Sequence, residues 1–239
     1  MTRAGKYAAE RNDDMRKLLI KDVPALSYAT EEAINRLRVN LNFLGNDIRK
    51  IMIISSSENE GKSFVAMHLW RQMAESGTHS ILVDVDLRKS VMAQKYQMEP
   101  ADGGEIRGTS HVLADAAPLE KAVFHTEIEQ GDILPNTENV VNPTMLLEGK
   151  HFQDMLEEMA KEYRYVFLDT PPLDLVSDGE KIGSMCDGAI LVVRSGFTSR
   201  NLVRNSIQLL ERAGCPLLGI VLNRAGEGKK DYYYGKKEG

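Results

Sequence analysis

Short runs of apolar, largely β-branched residues recur along the chain: Ile51 to Ile54, Ile81 to Val85, Tyr165 to Leu168, Ala189 to Val193 and Leu217 to Leu222. Apolar runs of this length, without polar alternation, predict strands buried on both faces. Between them lie helical patterns: Lys62 to Ser76 stopped by Gly77, Thr144 to Tyr163, and Ser199 to Ala213 stopped by Gly214. Asp132 to Leu134, just before Pro135, predicts one more short strand. Alternating strands and helices with nearly all-apolar strands predict an α/β fold, a mainly parallel sheet with helices on both faces.

The remaining segments read differently. Residues up to about Pro24 show no clear periodicity and are expected on the surface or frayed. Residues 99–110, EPADGGEIRGTS, are polar and glycine-rich and are expected to form a mobile surface loop. After Asn223 the chain becomes AGEGKKDYYYGKKEG, which has no face with which to cover a core and predicts disorder. The organisation expected is an N-terminal extension (1–25), one domain (26–225) and a flexible tail (226–239).

Composition narrows the classes. With 239 residues and 42% hydrophobic content, the chain can bury one full core. A net charge of -5 gives no global attraction to polyphosphate, and no local basic patch offsets it, which argues against a nucleic-acid partner. Cys186 and Cys215 lack any CxxC or Cys/His spacing and read as small buried thiols in a cytosolic protein. No apolar run approaches the roughly 18 to 20 residues of a membrane-spanning helix, and MTRAGKYAAERNDD lacks a signal-peptide core. These features predict a protein inside the cell.

The candidate chemistry begins after the first strong strand, at SSSENEGKS, residues 55–63, which leads into a helix. A strand, a loop and a helix carrying GKS form a phosphate-binding context. Backbone N–H groups of Ser57, Glu58, Asn59, Glu60, Gly61, Lys62, Ser63 and Phe64 would meet phosphate oxygens. Lys62 adds a point charge near the β and γ positions, and the Ser63 hydroxyl can ligate magnesium. The usual pattern opens with glycine where this chain has Ser56. Two further strand ends are acidic: ILVDVDLR places Asp84 and Asp86 with Arg88 just beyond, and VFLDTPP places Asp169. Ligands of open parallel sheets gather outside the carboxyl ends of the strands, so the loop and the three aspartates should share one crevice. The plainer alternative is that the aspartates cap the following helices.

Together SSSENEGKS, ILVDVDLR and VFLDTPP resemble the Walker A, Walker A′ and Walker B motifs of bacterial tyrosine kinases of the capsule and exopolysaccharide type. That family is built on a deviant Walker A form of the P-loop NTPase fold. The likeness continues through DILPNTENVVNPTMLLE, DGAILVVRSGFTSR and LLGIVLNR, over roughly residues 26–224, and resumes in the tail. The resemblance implies ATP and Mg2+ as cofactors. Lys62 would hold the phosphates, Ser63 and Asp84 the metal, and Asp169 would act mainly behind them. Asp86 or Asp84 would accept the tyrosine proton. Tyr232, Tyr233 and Tyr234, flanked by Lys229, Lys230, Lys236 and Lys237, resemble the tyrosine cluster that these kinases phosphorylate on one another. Asn223 stands where related folds read the adenine edge, or is a simple turn residue.

EEAINRLRVN resembles the family's ExxRxxR oligomerisation helix, with Glu32 and Arg38 matching and Asn35 in the first arginine position. The resemblance further implies a homo-oligomer that offers each tail to a neighbouring active site, and a transmembrane activator of the polysaccharide co-polymerase type that recruits the chain to the inner face of the membrane. A phosphotyrosine phosphatase would complete the cycle. The competing reading is a nucleotide-switch ATPase of the partitioning or positioning type. Those proteins carry a signature lysine where this chain has Ser57. A third reading is a module that keeps ATP only to hold an interface.

Overall fold

The computed structural model describes residues 16–174 and 177–225. In chain order the elements are β1 (Leu18–Ile20), α1 (Tyr28–Asn42), β2 (Lys50–Ser55), α2 (Lys62–Glu75), β3 (Ser80–Asp84), α3 (Met92–Lys95), β4 (Met98–Pro100), α4 (Thr109–Leu113), α5 (Leu119–Ala122), β5 (Phe124–His125), β6 (Gly131–Leu134), α6 (Thr144–Glu148), α7 (Lys150–Glu162), β7 (Tyr165–Asp169), α8 (Asp178–Gly183), β8 (Gly188–Arg194), α9 (Arg200–Arg212) and β9 (Leu217–Asn223). Seven strands form one sheet in the order β5-β6-β3-β7-β2-β8-β9. All neighbours are parallel except β5, which runs antiparallel to β6.

Side-chain alternation divides the core into two layers. Ile51 and Ile53 of β2 join Val65, Trp70 and Phe167 on the face covered by α1 and α2. Met52 and Ile54 join Phe152, Leu156, Leu191 and Leu210 on the face covered by α7, α8 and α9. Trp70 is fully buried and donates its indole N–H to the Ser80 carbonyl at 3.3 Å. Removing a buried tryptophan of this kind costs about 3–5 kcal/mol.

The described residues depart from the sequence expectations at four places. The segment before Pro24 is not frayed over residues 18–20. These form β1, paired antiparallel with β4, and Leu18 is fully buried. A three-residue strand is too short to show a period. The polar segment 99–110 begins inside β4 and ends with Gly108, Thr109 and Ser110 buried beside Pro135 and Asn136, where Thr109 N–H donates to the Pro135 carbonyl at 2.9 Å. The helix expected over 144–163 is two helices, because Gly149 has extended torsions (φ -68, ψ 153) between α6 and α7. The last strand, read as buried, lies at the sheet edge, and Ile220 and Leu222 are 50% and 56% exposed.

Parallel strands place their carboxyl ends on one side. β2, β3 and β7 are neighbours there, with Asp84 in register with Asp169 and Asp169 in register with Ile53. The phosphate-loop candidate and the acidic strand ends therefore meet.

Candidate active site

The loop between β2 and α2 is braced from below. Ser55 Oγ donates to the Ser57 carbonyl at 2.7 Å. Ser56, where a glycine is usual, is fully buried, and its hydroxyl accepts from Ser206 Oγ of α9 at 2.8 Å. Glu60 is also buried: Oε2 accepts the Ser57 N–H at 3.0 Å and Oε1 accepts the Thr198 hydroxyl. Asn59 and Gly61 turn the chain through positive φ, 61° and 97°. Asn223 Nδ2 donates to the Glu60 carbonyl at 2.8 Å and packs so closely that a Cβ at position 61 would fall 2.0 Å from it. Both φ and space require glycine there.

Gly61 is the N-cap of α2 and has no side chain to bond the first-turn amides. A helix start leaves these donors open, and its dipole favours an anion. Such a terminus beside a lysine is suited to polyphosphate.

Lys62 Nζ lies 3.2 Å from Asp86 Oδ2, 3.6 Å from Asp169 Oδ1 and 3.4 Å from Ser63 Oγ. Asp84 Oδ1 accepts the Asp86 N–H at 3.2 Å, and Oδ2 accepts the Ser90 hydroxyl at 2.5 Å. All three aspartates are buried. Burial alone would lower the Lys62 pKa, but the carboxylates of Asp169 and Asp86 outweigh it and hold it above the ordinary lysine value. Burial, then the nearby Asp169 charge, pushes the Asp84 carboxyl up to about 8. Burial also raises Asp169, against the pull of Lys62.

One ammonium thus faces three enclosed carboxyl groups, and the site is short of positive charge. Asp169 Oδ1 is buried without a hydrogen-bond partner. Among the described residues no group of three or more His, Cys, Asp or Glu is placed to hold a metal ion alone. Magnesium ordinarily takes one or two carboxylates together with substrate phosphates and water. The oxygen donors Ser63 Oγ, Asp84 and Asp169 fit that requirement.

The other candidate residues fall into place around this centre. Ser57 Oγ donates to Asp174 Oδ2 at 2.6 Å, and Glu58 pairs with Lys89 at 3.2 Å. The side chains of Ser57, Glu58 and Glu60 are therefore engaged within the protein, and the Ser57 N–H is held by Glu60 as well, so a part for Glu58 and Glu60 in phosphate binding would fall to their backbone. Phe64 packs against His68 in a tilted arrangement, ring centroids 4.4 Å apart. Asn223 Oδ1 accepts the Arg224 N–H at 2.9 Å, so both ends of its amide already have partners. Arg38 donates twice to Asn35 Oδ1, at 3.2 and 2.8 Å. With Glu32 these residues line a shallow pocket of about 430 Å³ against α2, away from the loop. Tyr232, Tyr233 and Tyr234 lie outside the described residues. Sequence reasoning did not find Ser90, Asp174, Thr198 or Ser206, because each is contributed from a different segment. Only Ser90, two residues past Arg88, carries a local signal.

The comparisons agree with this geometry. Residues 48–195 match the AAA domain family. The chain is 34% identical over 213 residues to the tyrosine-protein kinase CpsD of Streptococcus agalactiae, covering 87% of this chain and 91% of that protein. It is 31% identical over 215 residues to the tyrosine-protein kinase YwqD of Bacillus subtilis (strain 168), covering 87% of each. The kinase domain of the Escherichia coli tyrosine kinase ETK superposes with a TM-score of 0.73 at 25% identity, over 97% of this chain and 91% of that one. With the acidic Walker A′ arm facing the phosphate-loop lysine, these likenesses show that the chain belongs to the bacterial tyrosine kinases of the capsule type.

Proposed function

We propose that this chain transfers the γ-phosphoryl group of magnesium-ATP to Tyr232, Tyr233 and Tyr234 of a neighbouring copy, and so regulates capsular or exopolysaccharide synthesis and export. The observation that carries the reading is the Lys62 ammonium, held between Asp86 and Asp169 under the open start of α2. Phosphoryl transfer asks the protein chiefly for positioning and charge stabilisation. The α2 amides and Lys62 hold the β and γ phosphates. Ser63 and Asp84 would hold magnesium, with Asp169 supporting them, and the ion supplies charge neutralisation across the terminal phosphates.

The tyrosine oxygen forms the new bond to phosphorus, the bond to the β–γ bridging oxygen breaks, and ADP leaves. The phenol proton goes to a carboxylate, since an ordinary tyrosine of pKa about 10 is a weak nucleophile at neutral pH. Asp84 or Asp86 would accept it: both oxygens of each are engaged, those of Asp84 by the Asp86 amide and Ser90, those of Asp86 by the Lys89 amide and Lys62.

The working unit proposed is a kinase domain over 26–225, preceded by an extension (1–25) and followed by an acceptor tail (226–239). Glu32 and Arg38 would hold a homo-oligomer, and Asn223 would border the adenine. A transmembrane activator of the polysaccharide co-polymerase type would bring the chain from the cytoplasm to the membrane, and a phosphotyrosine phosphatase would reset the tail. No helix among the described residues is long and apolar enough to cross a membrane.

The test is to incubate the protein with magnesium-ATP, with and without the activator's cytoplasmic segment, and to map phosphotyrosine by mass spectrometry. Label on the tail, absent from Lys62→Met, is the expected result. Phosphate release to water without any labelled tyrosine would instead support the nucleotide-switch reading.

A further inference from the structure

Arg88 lies two residues beyond Asp86, and its guanidinium forks onto one carboxylate. Nε stands 2.5 Å from Asp178 Oδ2, and Nη2 stands 3.2 Å from Oδ1. The Thr144 hydroxyl donates to the same Oδ1 at 3.1 Å and accepts from Arg88 Nη2 at 3.3 Å. The Asp178 side chain is 0% exposed, whereas that of Arg88 is 33% exposed. Segments leaving the carboxyl ends of β3, β6 and β7 thus meet at a single carboxylate.

The two partners differ in freedom. A Cβ at Gly179 would lie 2.9 Å from Leu173 Cδ2 and 3.2 Å from Ile54 Cδ1, so α8 begins pressed against the end of β2. Asp178 is therefore fixed by its backbone, and the long Arg88 side chain is the element being placed. Arginine suits this role because its planar fork matches a carboxylate in one orientation.

The arm that Arg88 closes also carries Asp86, which meets Lys62 through Oδ2 and the Lys89 N–H through Oδ1 at 3.2 Å. The arm is also tied to the segment after β6 (Ser90 N–H to Asn139 Oδ1 at 2.9 Å, Ser90 Oγ to the Asn136 carbonyl at 2.8 Å, Val140 N–H to the Leu87 carbonyl at 2.7 Å), to the phosphate loop through Lys89 and Glu58 at 3.2 Å, and to the end of β7 through Val85 N–H and the Asp169 carbonyl at 2.8 Å. The Arg88 fork adds a side-chain link to α8, beyond the Walker B strand.

We infer that Asp178, assisted by Thr144, is a positioning residue for phosphoryl transfer, which orients Arg88 and thereby sets where the Walker A′ arm holds Asp86 against Lys62. The inference rests on the kinase reading. A buried ion pair that served stability alone would not separate turnover from nucleotide affinity. A positioning residue does, because a misplacement of about 1 Å costs on the order of a hundredfold in rate while ground-state binding persists.

The test uses the full chain with magnesium-ATP and reads three quantities: phosphotyrosine formed, phosphate released to water, and affinity for a fluorescent ADP analogue. Asp178→Asn keeps the shape and the bond to Thr144 but removes the charge that orients Arg88. The expected result is a fall of about tenfold or more in kcat for tyrosine transfer, with ADP affinity within about threefold of the parent. Asp178→Glu, which restores the charge, should recover part of the kcat. Unchanged kcat in Asp178→Asn overturns the inference, and so does an equal loss of kcat and ADP affinity. If Asp178→Asn does not fold, Thr144→Val carries the test: a several-fold loss of kcat at constant ADP affinity supports the inference, and no loss overturns it. A parent protein that releases phosphate but labels no tyrosine refutes the kinase reading separately. Asp178 is then judged on the hydrolysis rate by the same criteria.

Discussion

The hydroxyl of Ser206 on α9 donates to the hydroxyl of Ser56 across 2.8 Å, and both residues are buried. This contact explains how the phosphate loop tolerates a side chain where glycine is usual: the added oxygen lies on the core side and has a donor waiting. Ser206→Ala removes the donor and leaves a buried oxygen unpaired, a change that costs about 1–3 kcal/mol. Ser56→Gly strands the Ser206 hydroxyl in the same way. The double variant should therefore be less destabilised than the sum of the two. Urea denaturation in a double-mutant cycle measures this coupling, and strictly additive effects would show that the contact contributes nothing.

Gly61 and Asn223 make a second pair whose test concerns binding. Gly61→Ala must place a Cβ 2.0 Å from Asn223 Nδ2 at a φ of 97°. Nucleotide binding should be lost. Adding Asn223→Ala removes the clash but not the backbone strain of about 1–3 kcal/mol, so binding should return only in part. Asn223→Ala alone should weaken ATP and GTP alike if its amide chiefly braces the Glu60 carbonyl. A loss confined to ATP would show that Asn223 reads the base. Titration with both nucleotides separates these outcomes.

The central strands were readable because a parallel strand covered on both faces must be apolar throughout, and Ile51 to Ile54 and Ala189 to Val193 are. The meeting of the candidate residues was readable because ligands of parallel sheets gather at the carboxyl ends of the strands, and Asp84, Asp86 and Asp169 stand at or just past such ends, around Lys62 at the start of α2. Other features depend on long-range neighbours and leave no local pattern. β1 forms only because β4 lies beside it, and Ser206 matters only because Ser56 is opposite. The exposure of Ile220 and Leu222 follows from strand order, which composition does not encode. At Asn35 the sequence departs from the ExxRxxR pattern it resembles, and there the side chain accepts two bonds from Arg38, the second charge that α1 would offer if it held an oligomer as proposed.

Asp84 should make stability and magnesium binding depend on pH. Its carboxyl, raised by burial and by Asp169, titrates at about 8 in the folded protein, against about 3.9 when unfolded. Between these values the folded state holds a proton that the unfolded state has released, so stability falls as pH rises from about 4 to about 8. A cation at the site displaces that proton. The thermal midpoint gained from magnesium with ADP should therefore grow between about pH 6 and pH 8.5, because metal binding releases protons from its ligands. Asp84→Asn should flatten the profile. An unchanged gain across this range in the parent protein would remove Asp84 from the metal site.

Asp132 offers a control in which stability and activity separate. It is buried near the start of β6, at the end of the sheet opposite the crevice, and accepts from two donors, His125 Nδ1 at 2.5 Å and Tyr163 OH at 2.8 Å, with His79 Nε2 3.6 Å away. Burial would raise its pKa, but His125, His79 and Tyr163 together prevail and hold it down at about 2. A depressed carboxyl contributes stability above its unfolded value of about 3.9, and that contribution is lost as pH falls toward 2. Asp132→Asn should therefore cost roughly 1.5–3 kcal/mol at neutral pH, the range for hydrogen bonds to a charged group. The cost should shrink as the medium is made more acidic than about pH 4, because the unfolded parent then binds a proton that the folded state takes up only near pH 2. Its effect on kcat for tyrosine transfer should be small, since Lys62, Asp86 and Asp169 are untouched. Denaturation measured at two pH values, together with the kinase assay, checks both parts. A large kcat loss in a variant that remains folded would mean that the far edge of the sheet is coupled to the crevice.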